Sequence, residues 1–210
     1  MQEMAAFAGI AAAITIGAAS PGPSFVMVAR TAVSTSRRDG LFAALGMGVG
    51  ALVFACLALV GLQGLLLAVP SLYVALKGAG GLYLVYLGIQ IWRGAGKPLD
   101  SGPAERGSGV HSAARWFVLG LTTQVSNPKT AIVYASVFAA FLPAVTSVAF
   151  NVGVAAIVFV IEAAWYSLVA VGLSSERPRR TYLRYKAWVD RAAGGVMMAL
   201  GLRLVTSARS

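Results

Sequence analysis

Two short stretches, SPGPS at residues 20–24 and SNPKT at residues 126–130, place proline inside runs of apolar residues. Proline removes a backbone N–H and disturbs the carbonyl four residues earlier. Within hydrocarbon, such freed groups survive only where protein or water satisfies them. The N–H groups that open a half-helix can hold a carboxylate. Paired broken spans in two halves of a chain point to a binding site near the bilayer midplane. The candidate binding residues are therefore Ser20, Pro21, Gly22, Pro23 and Ser24 in the first stretch. Around the second they are Gln124, Ser126, Asn127, Pro128 and Lys129. A single such break reads equally well as a kink; the matched pair favours a site.

Charged groups at membrane depth add to this reading. Lys129 follows Pro128 directly, and a central lysine costs roughly 2.5–3.5 kcal/mol on insertion scales, so it needs a partner or a wet cavity. Glu162, in IVFVIEAAWYS, is the acidic residue deepest in an apolar run, with Tyr166 one helical turn later on the same face. Lys129 and Glu162 form either a structural ion pair or a carboxylate binder facing an amine binder or proton acceptor. The two readings are compatible if substrate opens the pair. Asp39, beside Arg37 and Arg38, is a helix cap or a coupling residue at a gate. Lys77 and Arg203 lie near the ends of their segments and can snorkel.

These groups must be positioned by membrane helices. Of the 210 residues, 58% are hydrophobic and 11% charged, against roughly 25% in a soluble domain. Apolar segments fall at about 4–29, 40–62, 71–92, 116–142, 147–172 and 188–206. The expected architecture is all-α, with six transmembrane helices of which the first and fourth are broken. Met1 to Met4 carry no basic run, so residues 4–29 are expected to be a retained span. Thirteen of the 17 basic residues lie in the first, third and fifth connections, and the second and fourth carry none. Basic loops stay cytoplasmic, which predicts both termini outside the cytoplasm.

That asymmetry also explains the net charge of +10 without nucleic acid, leaving contact with anionic membrane lipid as the partner the basic loops suit. One cysteine, Cys56, and one histidine, His111, supply neither a redox pair nor a cluster for a metal. We expect no cofactor, no metal, no catalytic residue and no enzymatic activity.

An internal repeat is also expected. Residues 1–92 and 116–210 form two three-helix units joined by a cytoplasmic polar loop at 93–115. Ser20 and Ser126 open the two breaks, and KGAGGLYLVYLG matches RAAGGVMMALG at Gly80-Gly81 and Gly194-Gly195. Three spans are an odd number, so the second unit must be inverted.

At these residues the chain resembles the lysine exporter (LysE) family, which includes homoserine/threonine exporters. SPGPSFVMVARTAVSTSRRDGLFAALGMGVGAL resembles its amino-terminal signature, and TQVSNPKTAIVYASVFAAFLP its Asn-Pro-Lys segment. The resemblance spans the whole chain. It implies an inner-membrane exporter of amino acids or their derivatives, driven by the proton gradient. Pro21, Gly22, Pro23, Gly40, Gly46, Asn127, Pro128 and Lys129 stand at matching positions. Asp39 departs from the family pattern, which has a basic or small residue there. The residues leave two other readings open, a passive channel and a non-transporting scaffold. The small-residue faces permit a homodimer.

Overall fold

The computed structural model describes residues 2–20, 22–68, 70–95, 112–143 and 145–207, and among these the regular structure is entirely helical. Helix α1 spans Gln2–Ala19, α2 Pro23–Ser34, α3 Arg37–Ala68 and α4 Pro70–Gly94. Helix α5 spans Ala113–Val125, α6 Pro128–Phe141, α7 Val148–Leu173 and α8 Glu176–Ser207. Among the described residues three stretches, Gln2–Ala19, Arg37–Gly61 and Val148–Leu173, are long and apolar enough to cross a membrane. The fold class is thus all-helical and of membrane type.

The first and fourth apolar segments are each interrupted. One helix stops at Ala19 and the next starts at Pro23; another stops at Val125 and its successor starts at Pro128. Both prolines stand in the first turn of the following helix. There the missing N–H would have had no intrahelical partner in any case. The prolines start new half-helices rather than kink old ones.

Two expected boundaries move. The fifth connection, expected to be irregular up to residue 188, is helical from Glu176 onward. Its single breaker, Pro178, falls in the first turn of α8, where proline is tolerated. The polar connection expected at 93–115 is trimmed by α4, which runs through Gly94, and by α5, which starts at Ala113. His111, Lys97 and Arg106 lie outside the described residues.

Small residues set the packing. Helices α3 and α5 run parallel and touch backbone to backbone. A Cβ on Gly46 would stand 2.1 Å from the Phe117 carbonyl oxygen, and one on Gly120 would stand 2.1 Å from that of Ala43. Only helices bearing glycine can approach so closely. Helices α3 and α7 run antiparallel, with Gly40 against Ala170 and Gly48 against Ala163. Helices α4 and α8 also cross antiparallel, with Gly81 against Gly201 and Gly88 against Gly194.

Helix α1 runs parallel to α7. The Ser147 backbone N–H donates to Glu3 Oε1 at 2.6 Å and the Ser147 hydroxyl to Oε2 at 3.0 Å. Apolar side chains form two clusters, one around Ile10, Ile14, Val137, Phe138, Val154 and Val158, the other around Phe25, Val28, Met47, Val169 and Ala170. The polar residues discussed next lie where the two clusters meet.

Candidate functional site

The two interruptions face each other. Asn127 is the N-cap of α6: its Oδ1 accepts from the Lys129 backbone N–H at 3.0 Å. That bond satisfies one of the unpaired donors of the new helix. The Lys129 side chain then turns toward the other break, and its Nζ donates to the Ser20 carbonyl oxygen at 2.7 Å. Ser20 directly follows α1, and its own N–H still bonds Ile16 O at 3.2 Å. The ammonium therefore lies at the carbonyl end of α1, the negative pole of that helix. Its stem runs over Gly22, where a Cβ would meet Lys129 Cδ at 3.3 Å and Nζ at 3.4 Å. Glycine keeps the path of the lysine clear.

A directional hydrogen-bond chain leads from Asn127 to Glu162. Asn127 Nδ2 donates to Ser24 Oγ at 2.9 Å, and Ser24 Oγ donates to Gln124 Oε1 at 2.7 Å. Gln124 Nε2 donates to Glu162 Oε2 at 3.3 Å, and the Tyr134 hydroxyl donates to Oε1 at 3.0 Å. Gln124 is fully buried, and Ser24, Glu162 and Asn127 are nearly so. Each donor in such a chain polarises the next, and in low dielectric these bonds gain strength. The chain joins α2, α5, α6 and α7, so it ties both interruptions to the acidic residue of α7.

Lys129 and Glu162 border one cavity, together with Ser20, Gly22, Ser24 and Asn127. The space measures ≈ 20 Å³ for water centres, which is room for about one water and less than any amino acid needs. The lysine meets a backbone carbonyl and the glutamate meets neutral donors, so the opposite charges attract across the cavity without bonding directly. Such an arrangement offers a cation for a carboxylate and a carboxylate for an ammonium group or a proton. Among the described residues no group of three His, Cys, Asp or Glu is placed to hold a metal ion.

Not every sequence candidate reaches the cavity. Pro23 and Pro128 are exposed at their helix starts, and Pro21 lies outside the described residues. Gln124 supports Ser24 and Glu162 through its amide. Ser126 is exposed and donates to Thr122 O at 2.7 Å. Asp39 sits at the start of α3, where its backbone N–H donates to Ser36 Oγ at 3.1 Å and its Oδ2 accepts from that hydroxyl at 2.7 Å.

Sequence reasoning overlooked Thr130 and Tyr134, which also border the cavity. The signal was present: Asn127, Thr130 and Tyr134 are spaced i, i+3, i+7 and share one helix face. It also overlooked Lys186, counted among the basic residues of the fifth connection, and Asp190, which was given no role. Both are buried, with Lys186 Nζ 2.6 Å from Asp190 Oδ2. Their i, i+4 spacing on a helix was the available signal.

Residues 15–208 match the LysE type translocator family. The chain is 35% identical to the threonine efflux protein of Salmonella typhimurium over 188 residues, covering 90% of this chain and 91% of the relative. It is equally similar to the threonine efflux protein of Escherichia coli strain K12, at 35% over 189 residues with the same coverage of each chain. An uncharacterized membrane protein of Haemophilus influenzae is 28% identical over 191 residues, 90% of each chain. No solved structure matches the chain. With a family match across nearly its whole length and a hydrogen-bonded polar centre where two broken helices meet, the chain belongs to the LysE type translocator family and is a transport protein, not an enzyme.

Proposed function

We propose that this protein is a secondary exporter of small neutral amino acids, threonine or a close derivative among them, working by alternating access in the bacterial inner membrane. The observation that carries the reading is Lys129 standing opposite Glu162 across one cavity where the two helix breaks meet. A zwitterion presents both complements. Its carboxylate exchanges for the Ser20 carbonyl as the partner of Lys129, helped by the N-termini of α2 and α6. Its ammonium group, or in its absence a proton, meets Glu162. Ser24, Asn127, Thr130 and Tyr134 offer hydroxyl and amide groups to a hydroxylated side chain. The threonine efflux function named for the relatives supports this substrate class.

The small cavity supports a carrier that closes around its site rather than an open pore. In this reading α1–α2 count as one span, as do α5–α6, which yields six spans in two inverted units. The register of the glycine contacts supports the inversion. Gly81 and Gly194 are 113 positions apart, as are Gly88 and Gly201. A two-fold axis in the membrane plane would convert the Gly81–Gly201 contact into the Gly194–Gly88 contact. The same axis would exchange the parallel pair α3/α5 with the parallel pair α7/α1. The basic connections then lie in the cytoplasm and both termini outside it, and Asp39 stands at the cytoplasmic mouth as a second coupling candidate.

Counterflow in proteoliposomes tests the function. Vesicles loaded with unlabelled threonine should draw in labelled threonine saturably, and Asn127→Ala, which removes the cap of α6 and its tie to Ser24, should abolish the exchange. Flux without trans-stimulation would instead assign a channel. No exchange of any amino acid by folded protein would defeat the proposal.

A further inference from the structure

Serine and threonine hydroxyls on helices commonly return to the backbone. Those of Thr15, Ser34, Thr35 and Thr122 each donate to the carbonyl four residues back, at 2.7–2.8 Å. Ser126, directly after α5, does the same: its N–H bonds Thr122 O at 2.9 Å and its hydroxyl donates to that oxygen at 2.7 Å. Ser20 directly follows α1, and its N–H bonds Ile16 O in the same way. Its hydroxyl does not follow. Ser20 is 2% exposed, and its Oγ has no hydrogen-bond partner. Among the described residues that border the cavity, this is the buried side-chain atom left unpaired. A buried donor without a partner is costly, so its retention calls for one.

Two anion-binding groups stand in the same corner. Lys129 Nζ lies 2.7 Å from the Ser20 carbonyl oxygen, and a Cβ on Gly22 would stand 3.4 Å from it. Gly22 is the N-cap of α2 and has no side chain, so that helix start lacks the cap that Asn127 gives α6. Pro23 has no N–H, so Ser24 carries the first donor of this twelve-residue helix. Ser20, Gly22, Ser24 and Lys129 all border the cavity. An ammonium, an unspent hydroxyl and an uncapped helix start each complement a carboxylate. The hydroxyl protons of Ser24 and Tyr134 are already committed, to Gln124 and Glu162.

We propose that the Ser20 hydroxyl is the second donor to the substrate carboxylate, beside the Lys129 ammonium at the start of α2. This deepens the exporter reading and rests on it. One carboxylate oxygen replaces the Ser20 carbonyl as the partner of Lys129 Nζ. The other accepts from Ser20 Oγ, with the first N–H of α2 behind it. Every amino acid carries this carboxylate, so the contact selects a free acid over its ester or amide and is blind to the side chain.

Ser20→Ala deletes the hydroxyl without deleting a hydrogen bond of the protein, so the variant should melt at or above the parent. Melting well below the parent would assign the hydroxyl to the fold instead. In threonine counterflow the half-saturating concentration of the variant should rise at least threefold, and a smaller rise would overturn the proposal. The same factor should appear when unlabelled 2-aminobutyrate, which keeps the carboxylate and lacks the side-chain hydroxyl, competes with labelled threonine. A rise confined to threonine would move the Ser20 contact to the substrate side chain and overturn the carboxylate assignment. Ser20→Cys fills the space with a much weaker donor and should keep the loss; parental affinity in it would reduce Ser20 to packing. Parental protein that shows no exchange defeats the exporter reading, and this role with it. Parental exchange together with parental affinity in Ser20→Ala defeats the role of Ser20 alone.

Discussion

Lys129 Nζ donates to the Ser20 carbonyl oxygen at 2.7 Å, although 109 residues separate the two in the chain. The bond closes the gap between the end of α1 and the start of α6. It also holds the cation at the carbonyl end of α1.

Lys129→Met should abolish threonine counterflow while leaving the fold intact. Losing a charge at membrane depth removes an insertion cost of roughly 2.5–3.5 kcal/mol, which offsets the orphaned Ser20 carbonyl. Exchange assays and melting in detergent check both halves. A transport-competent Lys129→Met protein would remove lysine from the site.

Ser24→Ala takes a donor from Gln124 and an acceptor from Asn127, leaving two buried polar groups unsatisfied. Each such loss costs about 1–3 kcal/mol. The expected result is a markedly lower melting temperature together with reduced exchange. Equal melting of parent and variant would show that water or rotation restores the bonds.

Glu162→Gln keeps the shape of the side chain and removes its charge. If the carboxylate carries the proton, export by the parent accelerates under an inward proton gradient while the variant proceeds at one rate with or without it. Transport by reconstituted protein at matched and unmatched pH decides this. A gradient response retained in Glu162→Gln would move coupling elsewhere, with Asp39 as the next candidate.

Asp39→Asn should leave exchange kinetics near parental if the residue acts only through Ser36 at the start of α3, where Ser36 caps the helix through the Asp39 backbone N–H, and should cost about 0.3–1 kcal/mol for the lost negative charge in the first turn. Loss of the gradient response with unchanged melting would instead assign Asp39 to coupling.

Gly120→Ala should fail to assemble, because the new Cβ would lie 2.1 Å from the Ala43 carbonyl oxygen, a backbone atom that cannot turn away. Gly172→Ala meets nothing within 4 Å and should melt at or slightly above the parent, by the gain in helix propensity. Comparing the two by yield and melting separates helix contact from helix propensity, since both substitutions favour the helix equally.

The sequence by itself determined the class of protein, because 58% hydrophobic residues and long uncharged runs leave too little polar surface for a soluble domain. It also determined where helices restart, because Pro23 and Pro128 can occupy only a first turn without loss. It identified Lys129 and Glu162, because a charge in an apolar run announces its own cost. Tyr134 was legible only as the i+7 member of a face shared with Asn127 and Thr130; that its hydroxyl serves Glu162 required the carboxylate opposite it. Lys186 and Asp190 carried the i, i+4 spacing of a helical pair, but they stand beside the arginines of a basic stretch, and burial of the pair followed only from packing.

Only the tertiary structure decided which groups meet. The crossing of α3 and α5 at glycine, and the antiparallel pairing of α8 with α4, depend on backbone contacts between residues far apart in sequence. Ser24 likewise meets Asn127, and Lys129 meets Ser20, only once the helices are packed. Hydrogen bonds over more than a hundred positions follow from packing, which the local pattern of a helix does not contain.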